Sequence, residues 1–82
     1  MKIRKANIRL EDKWIEQVFV HENKKEEYTL IAIPDIEWAT VISYEEDMDT
    51  CKDRLVSSLS KRVSEETAIE LTNKINFWVR EM

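Results

Sequence analysis

The segment 28–46 (YTLIAIPDIEWATVISYEE) constrains the fold of this chain more than any other part of the sequence. It contains the longest apolar run, the only proline and one of the three tryptophans. Apolar and β-branched residues dominate both halves, which is typical of strands. Pro34 and Asp35 interrupt the segment, and proline cannot donate a hydrogen bond to a strand ladder. We therefore predict two strands, residues 28–33 and 39–45, joined by a corner.

Two segments before this core are also predicted to be extended. Residues 14–22 (WIEQVFVHE) are rich in β-forming residues. Strict alternation would place their bulky side chains on two faces, with Trp14, Val18 and Val20 on one and Ile15 and Phe19 on the other. The polar residues 23–27 form a connector of hairpin length. Residues 2–10 alternate loosely, and we interpret them as an edge strand or a short extended arm.

The sequence contains no glycine. Phosphate-binding loops need glycine because the backbone must approach the anion closely with a positive φ. This argues against P-loop and Rossmann-type sites. Type I′ and II′ hairpin turns also need positive φ. We therefore expect longer turns, or Asn23 in the left-handed conformation.

After Glu46 the apolar spacing changes to three and four residues, which is typical of amphipathic helices. Two stripes are present: Met48, Cys51, Leu55, Leu59 and Val63 form the first, and Ala68, Leu71, Ile75, Trp78 and Met82 the second. On one straight helix these stripes would point about 165° apart. We therefore predict two helices with a break near Val63 and Ser64. Asp49 or Thr50 is expected to cap the first helix and Ser64 the second.

Together these patterns predict an α+β fold in a single domain, residues 1–82. It consists of a three-stranded antiparallel meander, with residues 2–10 as a fourth strand if they pair, followed by two helices packed on one face. A chain of this length buries only about 60–65% of its unfolded surface. Its one cysteine and one histidine offer neither a disulfide nor a four-ligand zinc site. Self-association is the remaining way to bury more surface, so we expect a homodimer.

The candidate catalytic and metal-binding residues have simpler structural interpretations. Glu45, Asp47 and Asp49 alternate like calcium ligands but lack the glycine and the distal glutamate of a calcium loop. Cys51 could be a nucleophile with His21 as its base, but Cys51 lies on the apolar stripe and no third group orients the pair. We expect no catalytic residue, no cofactor, no metal, no enzymatic activity and no prepared pocket for chemistry.

Three groups of residues are candidates for contacts with partners. Lys2, Arg4, Lys5 and Arg9 could touch phosphates. No aromatic residue is interleaved with them and the net charge is −4, so we expect no nucleic-acid partner and keep a nucleic-acid-associated regulator as the alternative. At the corner, Asp35 and Trp38 could form a binding loop, although we favour the interpretation that Trp38 fills the gap between sheet and helices.

The third group is a ridge on the second predicted helix, formed by Ile69, Asn73 and Phe77. This ridge lies away from the main apolar stripe of that helix, and an apolar side ridge of this kind is typical of a partner surface. We expect it to serve dimerisation or to bind a protein partner that the sequence does not identify.

The sequence also predicts where in the cell the protein is located. A single cysteine fits a reducing, cytoplasmic setting. The first residues, MKIRKANIRL, are basic and lack an apolar core, so we expect no signal peptide. No run approaches the roughly 20 apolar residues that span a bilayer, so no membrane partner is expected.

Three motifs make the whole chain resemble the YueH-like family of small proteins from Bacillus and its relatives. They are ENKKEEY (residues 22–28), IPDIEW (33–38) and INFWVREM (75–82). The resemblance implies a Bacillus-type bacterial host and no particular activity. More distantly, YTLIAIPDIE followed by DMDTCKDRLVSSL is similar in layout to HicB-like antitoxin domains. Those domains have Gly-Cys where this chain has Trp38 and Ala39, and they carry a DNA-binding tail where this chain has a second helix. This resemblance therefore implies partner binding and does not imply operator binding.

Overall fold

The structure is a computed structural model that describes residues 1–81. Four strands form one antiparallel sheet in the order β1-β2-β3-β4, and two α-helices follow. The strands are β1 (Lys2–Arg9), β2 (Trp14–Asn23), β3 (Tyr28–Ile33) and β4 (Trp38–Ser43), and the helices are α1 (Met48–Leu59) and α2 (Glu65–Glu81). A short 3₁₀ turn, Pro34–Ile36, forms the corner between β3 and β4. The predicted α+β fold is confirmed, and the N-terminal segment is a fourth strand.

The hydrophobic core lies between one face of the sheet and the two helices. Its side chains come alternately from the strands and at helical spacing from α1 and α2. Those with no exposed surface are Ile15, Val18, Val20, Ile31, Ile33, Leu55, Leu59, Ala68, Leu71 and Ile75. The predicted stripe of the second helix is therefore buried, except that Met82 lies outside the described residues. Thr72 joins this stripe and is also fully buried.

The predicted faces of β2 are wrong at its N-terminal end. Ile15 is buried with Val18 and Val20, whereas Trp14 is 51% exposed. The cause is a β-bulge, because the register shifts between the pair Lys5–Gln17 and the pair Ile8–Ile15. There β1 advances by three residues while β2 advances by two. A bulge of this kind breaks strict alternation.

Both helices begin at capping residues, one of which differs from the prediction. Asp47, not Asp49 or Thr50, caps α1, because its Oδ2 accepts hydrogen bonds from Asp49 N (3.1 Å) and Thr50 N (3.2 Å). The break before α2 falls where it was predicted. Ser64 Oγ accepts a hydrogen bond from Thr67 N at 3.3 Å, and acidic residues in the first turn of α2 complement the helix dipole.

The β2–β3 turn has the longer form that was one of the two predicted alternatives, and the left-handed backbone lies at residues other than Asn23. Asn23 ends β2, and Glu27 takes the positive φ of 58° in the β2–β3 turn. Asn23 contributes through its side chain, because its Oδ1 accepts a hydrogen bond from Glu26 N at 3.0 Å. Glu37 has a φ of 50° after the 3₁₀ turn, and Asn7 has a φ of 53° in the bulge. Each of these residues bends the chain where glycine would commonly be found.

Candidate interaction surfaces

The face of the sheet opposite the helices carries a second set of apolar side chains, which we call the outer face. One row crosses all four strands, because Ile3 pairs with Phe19, Phe19 with Ala32, and Ala32 with Ala39. A second row contains His21, Leu30 and Val41. Ile3 is 55% exposed and Val41 is 49% exposed. The outer face is therefore an apolar surface that no described element buries.

Sequence reasoning missed the outer face, although the signal was present. A sheet covered by helices on one side needs apolar residues only at every second position of each strand, which we call one apolar phase. In β3, Leu30 and Ala32 lie in the phase opposite to the buried Ile31 and Ile33. The same holds for Ala39 and Val41 in β4. Apolar residues in both phases of several paired strands predict a second buried face.

The edge of the sheet at β4 is closed by Arg54 from α1. Its guanidinium donates to Thr40 Oγ1 (2.9 Å) and to the backbone oxygen of Val41 (3.1 Å). The same group makes a bidentate ion pair with Glu46, at 2.8 Å from Nε to Oε2 and 2.9 Å from Nη2 to Oε1. Arg54 lowers the pKa of Glu46, chiefly by this hydrogen bonding. An arginine held on an edge strand in this way obstructs pairing with another strand.

The opposite edge, at β1, carries the four predicted phosphate contacts. Lys2 and Arg4 pair with the inward-facing Val20 and Val18, whereas Lys5 and Arg9 pair with Gln17 and Trp14 on the outer face. Directly paired residues share a face of the sheet. The four basic residues are therefore divided between two faces of the strand rather than gathered in one patch. Basic side chains and the bulge at Asn7 both discourage edge-to-edge pairing.

The predicted ridge on the second helix is exposed in the structure. Ile69 is 43% exposed and Phe77 is 61% exposed, with the exposed Asn73 one turn from each. Ile69 also lines a shallow groove of about 480 Å³ between α1 and α2. The ridge is therefore a second apolar surface, narrower than the outer face because it is a single line of side chains.

The other two predicted partner residues, Trp38 and Asp35, make internal contacts. Trp38 is only 8% exposed, and its Nε1 donates to Ser58 Oγ at 2.9 Å. It thus fills the gap between sheet and helices and does not belong to a partner surface. Asp35 accepts a hydrogen bond from Glu16 N at 3.0 Å through its carboxylate, and its backbone oxygen accepts one from Lys13 Nζ at 2.6 Å. Asp35 therefore fastens the corner to the start of β2.

A polar cleft of about 700 Å³ lies beside this corner, which corrects the expectation that the fold leaves no pocket. It is formed where the β1–β2 turn, the 3₁₀ turn and the connection between α1 and α2 meet. Four basic and four acidic residues line it: Arg9, Lys13, Lys61 and Arg62, with Glu11, Asp12, Asp35 and Glu37. Neither Cys51 nor His21 is among its lining residues. Its charges balance, and Asp35 and Lys13 are already engaged in the contacts that fasten the corner.

Cys51 and His21 lie on opposite sides of the sheet. Cys51 is a free thiol with 3% of its surface exposed, on the core side, and burial raises its pKa. His21 pairs with Leu30 on the outer face. The structure therefore does not bring this predicted nucleophile and base together.

A hydrogen bond between two titratable side chains joins β2 to the segment that follows β4. Tyr44 donates a hydrogen bond from its hydroxyl to Glu22, and this bond raises the pKa of Tyr44 to about 12. The side chains of both residues line a cavity of about 430 Å³ that Cys51 also borders.

Within residues 1–81, no three His, Cys, Asp or Glu side chains are arranged to hold a metal ion. In the same part of the chain, neither helix is long and apolar enough to cross a membrane.

Comparison with known proteins identifies two matches. The family model described as YueH-like protein matches residues 2–81. The uncharacterized protein YueH of Bacillus subtilis (strain 168) is 52% identical over 82 residues, covering 100% of both chains. No solved structure matches the chain.

Proposed function

The chain belongs to the YueH-like family, and from that premise we propose that it is a non-enzymatic, cytoplasmic protein-interaction module that self-associates as a homodimer. The observation that carries this proposal is the outer face. Large apolar side chains such as Ile3 and Val41 are about half exposed there and are grouped in rows. Monomeric proteins seldom leave a contiguous apolar patch larger than a few hundred Å² uncovered.

Both edges of the sheet are obstructed, which supports an assembly that closes after a fixed number of copies. Arg54 obstructs the edge at β4, and basic residues with a bulge obstruct the edge at β1. A sheet with two unprotected edges can add further copies at either edge, whereas face-to-face packing about a two-fold axis closes after two copies. Protected edges beside an apolar face therefore favour a dimer over an open polymer.

The arrangement of the reactive side chains supports a role without catalysis. Cys51 is buried with a raised pKa, so the thiol form is favoured over the nucleophilic thiolate. His21 is on the other side of the sheet. The free, buried thiol also suits the reducing cytoplasm.

Light scattering coupled to gel filtration tests this proposal. Across low to high micromolar concentration we expect a mass of twice the 9.8 kDa chain mass, falling towards a single chain only on dilution. As a matched control, the buried thiol can be changed by Cys51→Ser, which should leave the dimer mass unaltered. A constant mass of one chain at every concentration would contradict self-association.

A further inference from the structure

The structure exposes two apolar surfaces, the outer face and the ridge of Ile69, Asn73 and Phe77, and they predict different dimers. We infer that the outer face seats the second copy, sheet against sheet, with a two-fold axis parallel to the strands. This inference rests on the proposed self-association and adds which surface is used and in which orientation. The argument follows from the sizes of the side chains on the outer face.

The row of the outer face that crosses all four strands has a bulky half and a small half. In the row that crosses all four strands, β1 and β2 contribute Ile3 and Phe19, whereas β3 and β4 contribute Ala32 and Ala39. Along this row the bulky half stands higher above the sheet than the small half. In the second row the larger side chains, Leu30 and Val41, lie on β3 and β4 instead. The first row of two copies fits closely if the bulky half of each copy lies on the small half of the other.

One two-fold arrangement achieves this fit. An axis parallel to the strands, placed between β2 and β3, reverses the order of the strands across the sheet. It leaves the height of each residue along the strand direction unchanged. It sets β1 of one copy over β4 of the other, and β2 over β3. Ile3 and Phe19 then lie over the Ala39 and Ala32 of the second copy. An axis perpendicular to the strands would instead stack bulky residues on bulky residues, so shape complementarity favours the parallel axis.

The size of the outer face is adequate for a small dimer. Strand lengths run from six residues in β3 and β4 to ten in β2. With four strands about 4.8 Å apart and a rise of about 3.3 Å per residue, the projected area is about 400–600 Å² per copy. Two such faces bury about 800–1,200 Å² in total, which brackets the roughly 1,000 Å² expected of a specific interface. The ridge is one line of side chains and offers less.

Sedimentation equilibrium on matched charge variants tests the inference. Ile3→Glu and Ala39→Glu place a carboxylate on the bulky and on the small half of the row that crosses all four strands, and Phe77→Glu places one on the ridge. We expect each outer-face variant to raise the dimer Kd by about a hundredfold or more, because an unpaired charge would be buried. Phe77→Glu should change it by less than about threefold. Circular dichroism identifies any variant that fails to fold. If one of the two outer-face variants fails to fold, the other still tests the inference.

The outcomes separate this inference from the proposed function. A wild-type dimer that dissociates in the outer-face variants and persists in Phe77→Glu supports both. A wild-type dimer weakened by Phe77→Glu alone, or equally by all three variants, keeps self-association and overturns the outer-face interface. A wild-type monomer overturns both, leaving the outer face for a different protein. As a check on orientation, a chain carrying Ile3→Cys should form a disulfide with a chain carrying Ala39→Cys in preference to a second Ile3→Cys chain, and the opposite preference would overturn the parallel axis.

Discussion

The two faces of the sheet are built from the same strands, yet only one of them is buried within the chain. Ile31 has no exposed surface beneath the helices, while its neighbour Leu30 points to the other face and remains partly exposed. Both faces are apolar, but the inner one is covered by α1 and α2 and the outer one by nothing in residues 1–81. The difference between the faces therefore comes from the helices, which cover only one side of the sheet, and not from the apolar character of the strands.

The largest expected effect comes from truncating the inner face. Ile31→Ala should lower the free energy of unfolding by about 2–5 kcal/mol, because it removes buried methyl groups and leaves a cavity. Val41→Ala, on the outer face, should change it by less than about 0.5 kcal/mol at a concentration where the chain is monomeric. Urea unfolding measures both. Equal losses for the two variants would mean that the faces do not differ.

The edge of the sheet at β4 differs from both faces, because a charged side chain, Arg54, covers it. Arg54→Ala removes the contacts to Thr40, Val41 and Glu46 and should cost about 1–2 kcal/mol. Arg54→Lys keeps the charge but cannot form the bidentate pair, so it should recover only part of the loss. The dimer Kd should stay within about threefold in both variants. A marked strengthening of association in Arg54→Ala would indicate pairing through the edge instead.

The Arg54–Glu46 pair should make the stability of the monomer sensitive to acid. The pKa of Glu46 is lowered in the folded chain, so its contribution is present above the ordinary carboxyl pKa of about 4.3 and is lost as the pH falls through the lower, folded pKa. Glu46→Gln should remove this part of the acid dependence, worth about 1 kcal/mol. Thermal unfolding between pH 7 and pH 3 measures it, and identical profiles for wild type and variant would contradict the assignment.

The smallest effect concerns Thr72, a residue of α2 whose side chain is buried in the core beneath the inner face. Thr72 Oγ1 is fully buried and makes no hydrogen bond, so Thr72→Val, which keeps the shape, should stabilise the fold by about 0.5–1 kcal/mol. Thr67→Val is the matched control, because the Thr67 hydroxyl accepts a hydrogen bond from Ser64 Oγ at 3.0 Å, and it should not stabilise. Destabilisation by Thr72→Val would show that the hydroxyl is satisfied.

The fold could be predicted from the sequence because its main signals are local. Apolar alternation identified the strands, and the two helical stripes with Ser64 between them located the break between helices. The first cap was placed wrongly because Asp47, Asp49 and Thr50 are all good capping residues, and only the backbone geometry selects Asp47.

What the sequence did not predict depends on parts of the chain that meet only after folding. The bulge near Asn7 follows from how β1 pairs with β2, and it moves Ile15 to the core side. The cleft at the corner forms where three connecting segments converge. The outer face emerges only when the row from Ile3 to Ala39 is assembled across four strands. The ridge of Ile69 and Phe77, by contrast, lies on one helix and was predictable from spacing alone.

Isotope-filtered NOE spectroscopy on a mixture of labelled and unlabelled chains tests the central claim most directly, because it detects only contacts between copies. We predict intermolecular NOEs from the methyl groups of Ala32 and Ala39 in one copy to the Phe19 ring and the Ile3 methyl groups in the other. Intermolecular NOEs confined to Ile69 and Phe77, or none at a concentration where the dimer predominates by mass, would contradict the account.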